Sequence, residues 1–478
     1  MRDRNPYAST PVNFSALATA YPSLKPYLFF DSSGSPNLNF KDITTQRLLT
    51  EALLHQDFGL TLALPPDRLC PPVRIITFSC YVEALLIKRS TCRLEYILWI
   101  QDIMDETVRD GGTPILGLDV GTGASAIYPL LACRMRGNWH MAASELDETS
   151  ITYAQENISK NGFDDRIKLS RASASGHVLS PIFDEPQKRF DFTICNPPFY
   201  SSKEDVLSSA EAKLLDPHSV CTGADVEMIT DGGEVGFVGR IVKDSVELRD
   251  RCRWYTSLLG KSSSIVAIVE LLKHYQVDNY GITEFDVGKT KRWAVAWSFG
   301  TDRLPDVSPS SLIQVLSSLH RMILLDLSKS LVRISKPQLA SVMPARNELQ
   351  ITLSRGINLV DVEKLLSDVL GSLSAVEHHS VPPPDGKGGS FQVQAWAHSW
   401  SRSARRQQQQ NKQAQIDHNA GQRPILRCRI SWWSETKPQK EQDRVVQCMW
   451  IEGKDRQLFE SFWGHVSRKA FDAVQKPV

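Results

Sequence analysis

The sequence predicts an α/β domain over residues 93–300 and a smaller α+β domain over residues 313–478. Three observations carry that expectation. Between residues 93 and 300, short apolar runs alternate with helical patterns, the texture of a sheet whose strands are joined by helices. Within it, residues 115–125 (ILGLDVGTGAS) form an apolar strand that breaks at glycines and leads into a helical stretch. In the second block, one helix pattern, two alternating strands and a closing helix follow one another.

The 478 residues leave room for roughly three domains at about 150 residues each. The hydrophobic share is 41% and the charged share 23%, ordinary for a globular chain with a buried core. No apolar run is long enough to span a bilayer, so no membrane partner is expected. The N-terminus lacks the apolar segment of a secretory signal. Fifty-five basic side chains stand against 54 acidic ones, a net charge of +1, so any polyanionic partner must be met by local patches. Nine cysteines without a C-x-x-C pair argue against a disulfide framework and for a reducing compartment.

Residues 1–70, ahead of the α/β block, are rich in Pro, Asn, Tyr and Phe, with weak periodicity. In 115–125, Asp119 ends the strand, and Gly121 and Gly123 permit a turn where a ligand can approach the backbone. The element pattern is Rossmann-like. The next strand, WHMAASEL, ends at Glu145, an acid placed to hold two ribose hydroxyls. The absence of a third glycine disfavours a dinucleotide pyrophosphate and favours S-adenosyl-L-methionine as the cofactor. A structural strand-to-helix turn is the alternative for this motif alone.

The most specific signal is FDFTICNPPFY, residues 190–200. A strand runs into Asn196-Pro197-Pro198-Phe199. A delocalised exocyclic or amide nitrogen is a poor nucleophile. The Asn196 side-chain oxygen and the Pro197 carbonyl can each accept one of its N–H groups, orienting the lone pair and stabilising developing charge. Two prolines stiffen the turn and remove backbone donors. Phe199 offers a face for a planar base. A rigid Pro-Pro loop is the bland alternative.

Gly260-Lys261-Ser262 follows the strand RWYTSLL, and Lys289, Lys291 and Arg292 sit in VGKTKRW before an alternating strand. Both are candidate phosphate-contacting loops, or else solvated hairpins. Residues 301–312 read as a linker. His378–Ser390, containing PPPDGKGG, reads as an interruption of the second domain, and His378-His379 as loop residues; no metal site is expected. Residues 401–423 are basic and Gln-rich, a disordered loop. Val362, Leu365, Leu366, Val369, Leu370 and Leu373 predict an amphipathic helix. Cys428, Ile430 and Trp432, then Val446, Cys448 and Trp450, predict half-buried strands, and Leu458 to Val466 a closing helix.

With Asp119 to Ser125, Glu145 and Asn196 to Phe199 in this order, the chain resembles the methyltransferase-like 16 family. These are adenine-N6 methyltransferases of U6 small nuclear RNA, related to bacterial 23S ribosomal-RNA adenine-N6 methyltransferases. Further similar stretches are Asn39–Asp42, Glu51-Ala-Leu-Leu, Tyr96–Trp99, Gly232-Gly-Glu234, Arg253-Trp-Tyr255, Leu259–Lys261, Thr283-Glu-Phe285 and Arg292–Trp297. Residues 1–300 carry the resemblance strongly; Met449–Gly453 is its clearest trace in the second block, which resembles an RNA-binding module.

The resemblance implies a seven-stranded class I methyltransferase sheet with an N-terminal RNA-binding extension over residues 1–92. It implies that Arg93, Asp119, Gly121, Gly123, Ser125, Glu145 and Asn196 contact S-adenosyl-L-methionine, and that Asn196, Pro197, Pro198 and Phe199 hold the target adenine. Lys41, Gly260 to Ser264 and Val287 to Trp293, with Lys289, Lys291 and Arg292, would line the RNA path. A monomer acting on structured U6 RNA in the nucleus, or the cytoplasm, is the corresponding expectation. Ribosomal RNA, a protein glutamine, or a non-catalytic scaffold role are the rivals.

Three departures stand out. The family's cofactor contact near Ser175 and Gly176 is not securely matched. Ser208–Asp216 replaces an arginine-rich loop. Residues 74–92, apolar and with two cysteines, separate Val73 from Arg93, either as translated intron or as a lineage-specific loop.

Overall fold

The computed structural model describes residues 12–30, 34–39, 42–68, 92–108, 112–206, 225–287, 290–306, 331–334, 336–353, 357–383, 386–401, 404, 423–435 and 443–475. Lys41, Lys289, residues 74–91, Ser208–Asp216 and residues 405–422 lie outside them, and with them the expectations for the insertion and for most of the basic loop. The chain forms two units, one of residues 1–299 with 333–344 and the other of residues 300–332 with 345–478.

The first unit begins with α1 (Phe14–Ala20), a β1–β2 hairpin (Leu28–Phe30 and Pro36–Leu38) and α2 (Ile43–Phe58). Asp42 caps α2 by accepting from the Thr45 amide at 2.7 Å. Phe14, Leu17, Leu24, Leu38, Leu49 and Leu53 close a small core of their own. The sequence showed no such periodicity, because these apolar residues are shared among short pieces rather than repeated along one long helix.

After α3 (Cys92–Thr107) come β3 (Ile115–Val120), α4 (Ile127–Met135), β4 (Trp139–Glu145), α5 (Glu148–Lys160), β5 (Ile167–Arg171), the short α6 (Ser180–Phe183) and β6 (Phe190–Cys195). Then follow α7 (Asp225–Met228), α8 (Gly233–Leu248), β7 (Cys252–Leu259), α9 (Ser262–His274), β8 (Tyr280–Val287) and β9 (Thr290–Trp297). The seven strands order as β5-β4-β3-β6-β7-β9-β8. Pairs from β5 through β7 are parallel, whereas β9 runs antiparallel to both neighbours. β3, β6 and β7 are buried along nearly their whole length, as central strands covered on both faces are. This is the expected seven-stranded Rossmann-like sheet.

Strand order reverses between β3 and β6, which makes the crevice beyond their carboxyl ends the natural ligand site. Val120 pairs with Cys195 there, so the glycine turn and Asn196 leave the sheet side by side. The N-terminal extension is pinned to the same region by Asn157 of α5, which is fully buried. Its side chain accepts from the Ala63 amide at 2.6 Å and donates to the carbonyls of Ala63 and of Ala124, both at 2.9 Å.

The segment 333–344 completes the core of this unit with Ile334, Leu339 and Val342, and the Tyr280 hydroxyl donates to the Val342 carbonyl at 3.0 Å. A chain ended at Pro344 should therefore melt several degrees above one ended at Phe299, since each lost apolar side chain withdraws burial worth about 1.5–3 kcal/mol. Equal melting temperatures of the two truncations would refute that role.

The second unit is a five-stranded antiparallel sheet in the order β10-β14-β13-β12-β11, built from Glu348–Leu353, Asp443–Glu452, Leu426–Glu435, Gly389–Ala395 and Val376–Ser380. Helices α10 (Leu359–Gly371) and α11 (Arg456–Gln475) pack on it around Trp432, Trp450, Phe459 and Phe462. Both helices and both alternating strands are as the sequence predicts. Two readings are corrected. Residues 301–306 are not linker: the Arg303 side chain donates to the Gly453 carbonyl at 3.0 Å and covers the Trp450 ring, and Asn347 donates to the Leu304 carbonyl at 2.9 Å. His378 and His379 are not loop residues but lie in edge strand β11, opposite Val393 and Gln392. Polar residues and neighbouring prolines hid that strand, because an edge strand needs only one apolar face. Among the described residues no helix is long and apolar enough to cross a membrane, and no cluster of acidic, His or Cys side chains could hold a metal.

Candidate active site

The turn after β3 is fixed from the neighbouring strand, for the amides of Gly121 and Thr122 both donate to the Ser144 carbonyl at 3.0 Å. Gly121 has φ of +68°, and a Cβ there would meet nothing within 4 Å. The turn thus needs glycine for its conformation and leaves open space over it. Glu145 ends β4 beside it. One carboxylate oxygen accepts from the Gly123 amide at 2.7 Å; the other accepts from Leu146 and Asp147 at 2.8 and 3.0 Å. A carboxylate offers about four acceptor positions and three are taken, so about one remains for a further donor.

Asp119 is fully buried, and neither of its oxygens has a hydrogen-bond partner. Burial pushes its carboxyl from the ordinary 3.8 up to about 7; the neighbouring Thr122 hydroxyl and the Arg93 guanidinium oppose the shift, and the charge of Glu145 reinforces it. A buried acid and the Thr122 hydroxyl left without partners, beside an open glycine turn, fit a polar, cationic ligand. Ser125 lies buried at the end of the same turn. Arg93 stands on α3 with its guanidinium 5.5 Å from the Tyr128 ring centre.

The folded chain therefore keeps a proton on Asp119 that the unfolded chain has already released between pH 4 and 7. The contribution is present at low pH and lost as pH rises through about 7. Without ligand, the native protein should lose melting temperature from pH 5 to pH 8, and Asp119→Asn should flatten that slope and melt higher at pH 8. Parallel slopes in thermal melts of the two proteins would contradict the shift.

One turn beyond Arg93 on the same helix, Tyr96 fixes the start of the other motif. Its hydroxyl lies 2.6 Å from the Thr256 hydroxyl and accepts from the Cys195 amide at 3.4 Å. Asn196 follows, half-buried, with no side-chain hydrogen bond to other described residues; Pro197 is buried, and Pro198 and Phe199 are half-buried. The Tyr200 amide donates to the Met228 carbonyl and the Thr230 amide donates to the Tyr200 carbonyl, both at 3.0 Å, which anchors the far side of the turn.

The glycine turn, Glu145 and Asn196–Phe199 thus converge. Gly260 joins them, since a Cβ there would stand 2.9 Å from the Phe199 ring. The Arg292 guanidinium lies 5.5 Å from the centre of the same ring. Lys261 is exposed at the start of α9, and Ser262 is exposed next to it. Lys291 is engaged otherwise: Glu284 accepts from it at 2.5 Å and also binds Lys336 and the Trp293 indole. Those two lysines hold the Glu284 carboxyl below its usual range against the opposing effect of burial.

Tyr96, Glu227 and Glu234 gain a place here that sequence reasoning had not given them. Glu227 Oε1 lies 3.7 Å from where a Cβ of Gly123 would be. Each acts across at least 26 residues of chain, so no local pattern announces it.

A family model described as RNA methyltransferase matches residues 1–301. The chain is 34% identical over 386 residues to the human RNA N(6)-adenosine-methyltransferase METTL16, covering 80% of this chain and 63% of the relative. It therefore spans less than two thirds of the human protein. It is 30% identical over 515 residues to the Danio rerio mettl16, covering 100% of this chain and 98% of that one. It is 32% identical over 427 residues to the Schizosaccharomyces pombe U6 small nuclear RNA (adenine-(43)-N(6))-methyltransferase, covering 89% and 93%. A crystal structure of the human METTL16 catalytic domain in complex with MAT2A 3'UTR hairpin 1 superposes with a TM-score of 0.52 at 35% identity, covering 63% of this chain and 95% of that one.

Proposed function

Since the chain belongs to the METTL16 family of RNA N(6)-adenosine-methyltransferases, we propose that it methylates adenine N6 in a structured RNA of the U6 small nuclear RNA class, using S-adenosyl-L-methionine, in the nucleus. The single observation that carries the reading is the convergence of the glycine turn and Glu145 with Asn196–Phe199 at one switch point of the sheet.

Arg93, Asp119, Gly121, Gly123, Ser125 and Glu145 would hold the cofactor, which supplies an electrophilic methyl carbon on a sulfonium. Asn196 Oδ1 and the Pro197 carbonyl accept the two N6 hydrogens, so the amine lone pair is directed rather than delocalised into the ring. Phe199 stacks on the base, which must leave its helix to reach the turn. Burial of Pro197 and the anchored Tyr200 keep this geometry fixed before substrate arrives.

Lys261 follows Gly260 and Arg292 stands beside the Phe199 ring, and both side chains suit phosphate contact. The second unit is proposed to add RNA affinity through its basic 401–423 segment. The test is mass spectrometry of a U6 hairpin incubated with the pure protein and S-adenosyl-L-methionine. N6-methyladenosine at one position, absent with Phe199→Ala, supports the reading. Methylation of a protein glutamine, or no product with native protein, sinks it.

A further inference from the structure

We propose that Glu234 is the positioning residue that sets the base-stacking face of Phe199, acting through the Gly260–Lys261 backbone. The proposal rests on the reading that Phe199 receives the adenine. Glu234 opens α8 and is only 3% exposed. Its carboxylate accepts from the Gly260 amide at 2.5 Å, the Lys261 amide at 3.0 Å and the Ser264 hydroxyl at 2.5 Å. Two of these donors are backbone amides of the loop that leads into α9, where a phosphate could otherwise be held. The protein fills that anion site with its own acid, and what the loop presents outward is the exposed Lys261 side chain.

Gly260, once held, forms a wall beside the ring. A Cβ on it would lie 2.9 and 3.2 Å from two Phe199 ring carbons and 3.1 Å from Glu234 Oε2. The ring is thus close-packed against main chain, with the Arg292 guanidinium as a further neighbour. The preceding residue of α8 reaches the same turn, since a Cβ on Gly233 would stand 3.5 Å from both the Phe199 carbonyl oxygen and the Ser201 amide nitrogen. Two consecutive residues therefore control the backbone of the turn and, through the wall, the pose of its ring. A carboxylate is the group that suits this place, because all three partners are donors. A glutamine would turn an NH2 towards at least one of them.

A cap that merely stabilised α9 would change melting temperature alone. A positioning role changes catalysis with little change in binding. Glu234→Gln and Gly260→Ala should each bind S-adenosylhomocysteine like the native protein and still bind the hairpin. Each should lower kcat about ten- to a hundredfold with KM nearly unchanged, the size of effect expected when a reacting group is displaced by about 1 Å. A hairpin with 2-aminopurine at the target position should show the fluorescence change of stacking with native protein and lose most of it with both variants. Gly260 has no positive φ, so alanine fits its backbone and keeps the test open should Glu234→Gln fail to fold. Native kcat and native fluorescence in a folded variant would overturn the proposal. Phe199→Ala separates the two levels: if it too keeps native kcat, the adenine-binding reading itself has failed.

Discussion

Asn196→Ala is expected to lower turnover by about two to three orders of magnitude while leaving affinity for S-adenosylhomocysteine nearly intact, because removing one preorganised acceptor withdraws about 3–4 kcal/mol of transition-state stabilisation. The structure explains why the effect should be confined to catalysis. The side chain makes no hydrogen bond to other described residues, so its loss strips no partner among them. The turn is held from elsewhere, by Tyr96 beneath Cys195 and by the Tyr200 bridge to Met228 and Thr230. Single-turnover kinetics with saturating hairpin, paired with calorimetry, measure the two quantities separately. A variant that keeps more than about a tenth of native turnover would show that Asn196 is not the acceptor.

Glu145→Ala should have the next largest effect, and on two quantities at once. Losing a charge-assisted hydrogen bond to the cofactor withdraws about 1.5–3 kcal/mol, which calorimetry would read as roughly ten- to a hundredfold weaker binding. The same change leaves the amides of Gly123, Leu146 and Asp147 without their acceptor, so the melting temperature should fall even with no ligand present. Glu145→Gln separates the contributions, since its remaining oxygen can still accept from part of this set. Native affinity in both variants would remove Glu145 from the cofactor site. A loss of affinity with an unchanged melting temperature would show that its contacts to the glycine turn contribute nothing to stability.

Corrected boundaries follow from the same contrast between local and distant contacts. Thr301–Asp306 look like linker because Thr, Asp and Pro make up most of the segment, yet Arg303 and Leu304 are buried by partners about 150 and 40 residues away. Residues 333–344 look like part of the second domain because they follow its first residues in sequence. Ile334, Leu339 and Val342 nevertheless fill the first unit's core.

The sequence by itself determined the α/β class, the positions of β3, β4, β6 and β9, the glycine turn and the Asn196–Phe199 turn. Those features are local: a strand's apolar run, a glycine's permitted φ and a Pro-Pro restraint are written in neighbouring residues. Only the tertiary structure decided what the turns rest on. The acceptance of three donors by Glu234, the Tyr96 link to Cys195 and Thr256, and the Asn157 tie between Ala63 and Ala124 join residues 26 to 160 positions apart. Their side chains are ordinary polar residues in sequence. They acquire a function because burial forces each polar group to find a partner, and the partner within reach is set by the fold rather than by the neighbouring chain.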